Sequence, residues 1–223
     1  MSDHAQQKPA RTVLVWDIYT RLFHWLFAFA IGFAWWTAEQ GADWMEWHIR
    51  CGYALLCLLG FRICWGLFGG RYARFHQFVR SPAATWRYAQ QLKRGQSERY
   101  TGHNPLGGWM VILLLLLGLL QAGTGLFAND DIFSEGPLAA LVGYELSSRI
   151  TEWHEMLFNL LMAAVVLHLL GVLFHQLIKK EALIQAMLHG KKETTQLATK
   201  KHLLRGGLVF LSFGLLYLWL LQQ

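Results

Sequence analysis

Cysteine is scarce in this 223-residue chain: there are three, Cys51, Cys57 and Cys64. They sit in one apolar stretch at spacings of six and seven. Those spacings match neither zinc nor iron–sulfur ligation, so all three read as small packing residues. No cleavable signal peptide is expected either. The opening MSDHAQQKPARTVLVWDIYTR stays polar too long, and the apolar run after it has no small-residue cleavage site. His154-Glu155 has no second histidine four residues after the first, which excludes a zinc-protease helix. No internal repeat stands out, and charge is thin, at 15% of residues.

What fills the space is apolar. Hydrophobic residues make up 54% of the chain, in uninterrupted runs of the ~20 that one bilayer crossing takes. The fold class expected is therefore an all-α integral membrane protein. Eleven Trp and seven Tyr suit interface belts. Five spans are expected, over about Ile18–Ala38, Trp47–Phe68, Leu106–Ala128, Thr151–Lys180 and Leu203–Leu221. Ser81-Pro82 ahead of AATWRYAQQLKRG predicts a capped amphipathic surface helix. The domain division expected is a polar tail at 1–12, poorly ordered at its start, a core at 13–190, and a linker with the fifth span at 191–223.

The net charge of +6 would suggest nucleic acid in a soluble chain, but here it is distributed by loop. Arg71, Arg74, Arg80, Arg87, Lys93, Arg94 and Arg99 face a single acid, Glu98, in the second loop, and the N-terminus and fourth loop are also basic. The first loop carries Glu39, Asp43 and Glu46, and the third Asp130, Asp131, Glu135 and Glu145. By the positive-inside rule the N-terminus is cytoplasmic and the C-terminus outside; lipid, not nucleic acid, is the expected partner.

Histidines at membrane depth then become informative, because ionisable groups there are rare and usually functional. His154 and His168 lie fourteen residues apart on the fourth span. That spacing puts them on nearly one face, ~21 Å apart along the helix. Orientation pairs His48 with His154 at the outer depth and His24 with His168 at the inner. Two bis-imidazole sites are what a pair of low-spin b haems requires, an electron-transfer arrangement with both axial positions filled. His175, at the membrane surface, is an alternative to His168 as ligand or a propionate-side residue. Arg62, fourteen residues after His48, is either a propionate partner at the inner depth or a snorkelling arginine; Arg50 and Arg21 are further propionate candidates. Gly52 and Gly171, just past His48 and His168, leave room for a flat macrocycle or for close helix packing. His4, His76, His103, His189 and His202 receive no role, and His103 reads as a solvated cap residue.

The segment VWDIYTRLFHWLFAFAIGFAW resembles the first haem helix of the bacterial cytochrome b561 and nickel-iron hydrogenase cytochrome b family. HIRCGYALLCLLGFRICWGLFGGRYARF resembles its second, with His48, Gly52-Tyr53 and the run Arg62…Trp65-Gly66…Gly69. The doubled histidines of the fourth span match the family's shared ligand helix, and the resemblance covers roughly Val13–Gly190. It implies a four-helix bundle holding two haems b, with His24, His48, His154 and His168 as axial ligands and the fifth span as an addition. It also implies electron transfer in a bacterial inner membrane, between the quinone pool and an outside partner such as a c-type cytochrome, a hydrogenase or another redox subunit. Two alternatives stand beside this: a self-contained quinone reductase fed by a small donor such as superoxide, and a haem-free transporter. For quinone contacts, Gln121, Asn129 and His103 are polar groups that no spacing singles out.

Overall fold

A computed structural model of the chain describes residues 11–131, 134–200 and 202–222. The expected disorder at the start of the chain falls on residues 1–10, outside them. The described chain opens with a strand, β1 (Arg11–Leu14), followed by the long helices α1 (Ile18–Glu39) and α2 (Ala42–Phe68). A short α3 (Phe75–Phe78) and the surface helix α4 (Pro82–Lys93) lead into α5 (Pro105–Gly125). The turn α6 (Ala139–Val142) precedes α7 (Tyr144–Leu173), which continues through a π-helical turn at Phe174–Ile178. Then come α8 (Leu183–His189), β2 (Lys191–Thr194) and α9 (Leu203–Leu220).

Four helices are long and apolar enough to cross a membrane: α2, α5, α7 with its continuation to Ile178, and α9. Helix α1 is 22 residues long but falls outside that set. Its Arg21, His24, Trp25, Trp35 and Trp36 dilute its aliphatic content, a composition that suits interfaces as much as hydrocarbon. Two other boundaries differ from expectation. Helix α7 starts at Tyr144 rather than Thr151, because Gly143, at φ +74, turns the chain into it and Glu145 pairs with Arg149 one turn on. Helix α2 starts at Ala42, so most of the first acidic loop is helical, and Glu46 pairs with Arg50.

Helix α2 is the centre of the packing, against α1, α5 and α9, while α7 lies along α5. Among the described residues neither α1 nor α2 forms a comparable close interface with α7. The core joining the first group is Phe23, Phe27, Leu59, Phe61, Trp65, Leu115 and Ala122. Helix α9 docks through aromatic rings that meet glycines: a Cβ on Gly60 would lie 2.5 Å from the Phe213 ring, and one on Gly206 2.3 Å from Tyr19.

The end of the bundle where α1 begins is closed by a cap that charge patterning did not reveal. Strands β1 and β2 pair antiparallel, Arg11 opposite Thr194 and Leu14 opposite Lys191. Gly190, left-handed at φ +82, ends α8 and turns its carbonyl to the amides of Val15 and Trp16. Asp17 then caps α1 through the Thr20 amide at 2.8 Å and accepts from Trp65 Nε1 at 3.1 Å, fixing α1 to α2. Residues 11–12, expected in a tail, are thus part of the same folded cap as the linker.

Candidate functional site

The gap between α7 and the α1–α2 pair is bridged by histidines. At one depth the rings of His48 and His154 stand with centroids 6.2 Å apart; at the other, His24 and His168 stand 6.5 Å apart. Helical rise separates the two levels by ~21 Å along α7. All four side chains are half-buried, and no hydrogen bond joins the partners of either pair. Two imidazoles bound to one metal from opposite sides, at ~2 Å per bond plus about 1 Å to each ring centre, have centroids about 6 Å apart. Both pairs have that spacing.

At the His48–His154 level each imidazole has its Nδ1 anchored. His48 Nδ1 donates to the Ala34 carbonyl at 2.8 Å, which leaves the lone pair on Nε2. His154 rests on α5: Gln121 Nε2 lies 2.9 Å from its Nε2 and Thr124 Oγ1 3.1 Å from its Nδ1. A Cβ on Gly125 would come within 3.1 Å of His154 Cε1, so the ring lies directly on the helix end.

The His24–His168 level is different, because nitrogens there lack acceptors. His24 Nδ1, Arg62 Nη1 and His103 Nδ1 are all shielded from solvent without a hydrogen-bond partner. Arg62 is only 3% exposed, its guanidinium 4.9 Å from the Phe75 ring centre and 5.9 Å from that of Phe23. Asp17, the acid whose charge it feels, already accepts from Trp65 and Thr20. An orphaned buried cation among orphaned donors fits an anionic group entering from outside the polypeptide, and haem carboxylates have that chemistry.

His103 corrects the expectation of a solvated cap. Its ring packs between Trp16, at 4.7 Å, and Phe78, at 4.6 Å, and the cap of α5 is instead Asn104, accepting from the Gly107 amide. Burial first, then the charges of Arg62 and Lys192, push its pKa down to about 3; it is neutral at physiological pH. Burial also lowers Lys192, whose ammonium donates to the carbonyls of Tyr100 and Thr101. The sequence carried no signal for either, since the contacts come from distant segments.

Other candidates separate by position. His175, 7% exposed, is turned inside by the π-helical turn, with Nε2 3.3 Å from Asn104 Nδ2 and Nδ1 3.4 Å from Glu181 Oε2; His24 faces His168 instead. Arg50 pairs with Glu46 and stacks on Trp47 at 5.1 Å, and Arg21 donates to the Leu188 carbonyl at 2.6 Å. Nothing lies within 4 Å of a Cβ built on Gly52 or Gly171. Open space, not helix packing, adjoins both glycines. Asn129 bonds to Ser147 and Ser148, tying the third loop to α7. Cys51 donates to the Ala30 carbonyl, a packing role. Among the described residues no cluster of three or more His, Cys, Asp or Glu forms a bare metal site.

Comparison with curated proteins finds no match, and neither does comparison with solved structures. A family model described as prokaryotic cytochrome b561 matches residues 15–190, which include all four facing histidines, Arg62, Thr124 and His103. With its apolar helices, the chain is a multi-pass membrane protein belonging to the prokaryotic cytochrome b561 family.

Proposed function

We propose that the chain is a dihaem b-type cytochrome that carries electrons across a bacterial inner membrane, between the quinone pool and a redox partner outside. The observation that carries this reading is the pair of facing imidazole couples at two depths of α7, each at the spacing of a shared metal. His48 and His154 would hold the outer haem, His24 and His168 the inner. Haem held by these imidazoles would supply a reversible one-electron couple suited to electron transfer. The rest is the polypeptide's work. Ala34 and Thr124 orient the outer imidazoles, Arg62 offers a buried cation to an inner carboxylate, and Gly52 and Gly171 keep the helix faces open.

Helix α1 crosses the bilayer as the first of five spans in this reading, because His24 must reach His168 at depth. The basic N-terminus and second and fourth loops then lie in the cytoplasm, with α9 ending outside. Asp130, Asp131 and Glu135 lie on the outer face, where they suit a partner with a basic docking patch, as on many c-type cytochromes. In this reading a haem domain spans 13–190, which the match at 15–190 supports, and a C-terminal helix unit occupies 191–223.

Two measurements test this. Reduced-minus-oxidised spectra with haem quantitation on purified protein are expected to show a b-type cytochrome with about two haems per chain; no Soret band would overturn it in favour of a haem-free transporter. In intact cells a membrane-impermeant maleimide is expected to label Glu135→Cys and not Gln96→Cys, both exposed positions. The reverse pattern would invert the orientation.

A further inference from the structure

We infer that Thr124, on α5, is a positioning residue for His154 that sets the redox potential of the outer centre alone. The proposed ligands lie on α1, α2 and α7; α5 carries none, yet it determines how one of them is presented. The hydroxyl of Thr124 lies 2.8 Å from the Leu120 carbonyl and 2.9 Å from that of Gln121, so its single proton is committed to the helix backbone. What it turns toward His154 Nδ1, 3.1 Å away, is lone-pair oxygen. Nδ1 must therefore carry the hydrogen, and Nε2 the lone pair.

The other contact agrees. Gln121 Nε2, a donor only, sits 2.9 Å from His154 Nε2, which must then accept. That lone pair is taken up by Gln121, so a metal binding His154 through Nε2 would have to displace this contact. Gly125 removes the last freedom by bringing the ring onto the helix. Three residues within five positions of α5 thus define tautomer, orientation and contact of one imidazole.

The consequence is electronic. An acceptor on Nδ1–H raises the basicity of the ligating nitrogen, and such partners typically contribute 10–100-fold to metal affinity. A more basic ligand favours the oxidised metal and lowers its potential. The inner pair has no counterpart: His24 Nδ1 is unpartnered, and among the described residues no hydrogen bond reaches His168. Losing the Thr124 oxygen is therefore a local change that only the outer centre feels.

This inference rests on His154 being the outer ligand, and the experiment keeps the two apart. Redox titration followed in the α-band, with low-temperature electron paramagnetic resonance, would be run on the purified haem-loaded full chain as wild type, Thr124→Val, Thr124→Ser and His154→Ala. With Thr124→Val the outer potential is expected to rise and outer haem affinity to fall 10–100-fold, with the inner signal unmoved. Thr124→Ser, which restores the acceptor, is expected to return both toward wild type. The inference is overturned if Thr124→Val leaves both potentials and both signals unchanged, if both centres shift together, or if the serine variant fails to rescue. His154→Ala without loss of haem would instead sink the ligand reading itself.

Discussion

His154→Ala and His168→Ala are each expected to lose about one haem of two, and to lose different ones. His154 stands against His48 and His168 against His24, at levels ~21 Å apart on one helix. Removing one imidazole leaves its own couple with a single ligand and leaves the other couple intact. His48→Ala should therefore copy the spectrum of His154→Ala, and His24→Ala that of His168→Ala. The matched loss is the informative result, because four polar histidines merely satisfied in helix interfaces would show no such grouping. His175→Ala serves as contrast. Its nitrogens face Asn104 and Glu181, so haem content is expected to stay at two. Haem quantitation and difference spectra of the five variants decide it; a loss of both haems from every variant, or of haem from His175→Ala alone, would sink the pairing.

Arg62→Met is expected to weaken inner haem binding while leaving the polypeptide as stable or more so. Arg62 is 3% exposed, Nη1 has no acceptor, and its planar neighbours are Phe23 and Phe75. An uncompensated buried charge costs several kcal/mol, and well-packed apolar replacements of buried ionic groups are often neutral or stabilising by about 1–4 kcal/mol. The one acid in range, Asp17, keeps its bonds from Trp65 Nε1 and Thr20 when the guanidinium goes. If the cation instead receives a haem carboxylate, its loss removes a charge-assisted bond of about 1.5–3 kcal/mol. That corresponds to roughly a 10- to 100-fold loss of inner haem affinity. Removing a nearby cation also disfavours the reduced centre, so the inner potential should fall. Thermal unfolding beside haem titration separates the roles: a stability loss of several kcal/mol with haem binding unchanged would make Arg62 a structural residue only.

Legibility in the sequence followed the range of each interaction. The Ser81 cap and Pro82 at the head of α4 are local, and the helix stands over Pro82–Lys93 as their spacing implied. The long apolar runs likewise marked α2, α5, α7 and α9, while the aromatic-rich α1 falls below the hydropathy of the others. Where polar residues open a helix, boundaries slipped: the Glu145–Arg149 pair extended α7 back to Tyr144. The strand pairing of 11–14 with 191–194 was invisible, since neither four-residue segment has a pattern of its own.

The apolar helices, the charge asymmetry of the loops and the fourteen-residue step between His154 and His168 are legible from the residues alone. Each of these follows from helical rise, from burial of apolar runs, or from simple counting, and none needs a partner from elsewhere in the chain. Only the tertiary structure decided which polar atoms were satisfied. It placed Thr124, Gln121 and Gly125 around His154, half-buried His103 between Trp16 and Phe78, and left Arg62 without an acceptor. The physical reason is that a hydrogen bond's worth depends on whether its groups have lost water. Burial is set by segments that meet only when the bundle closes.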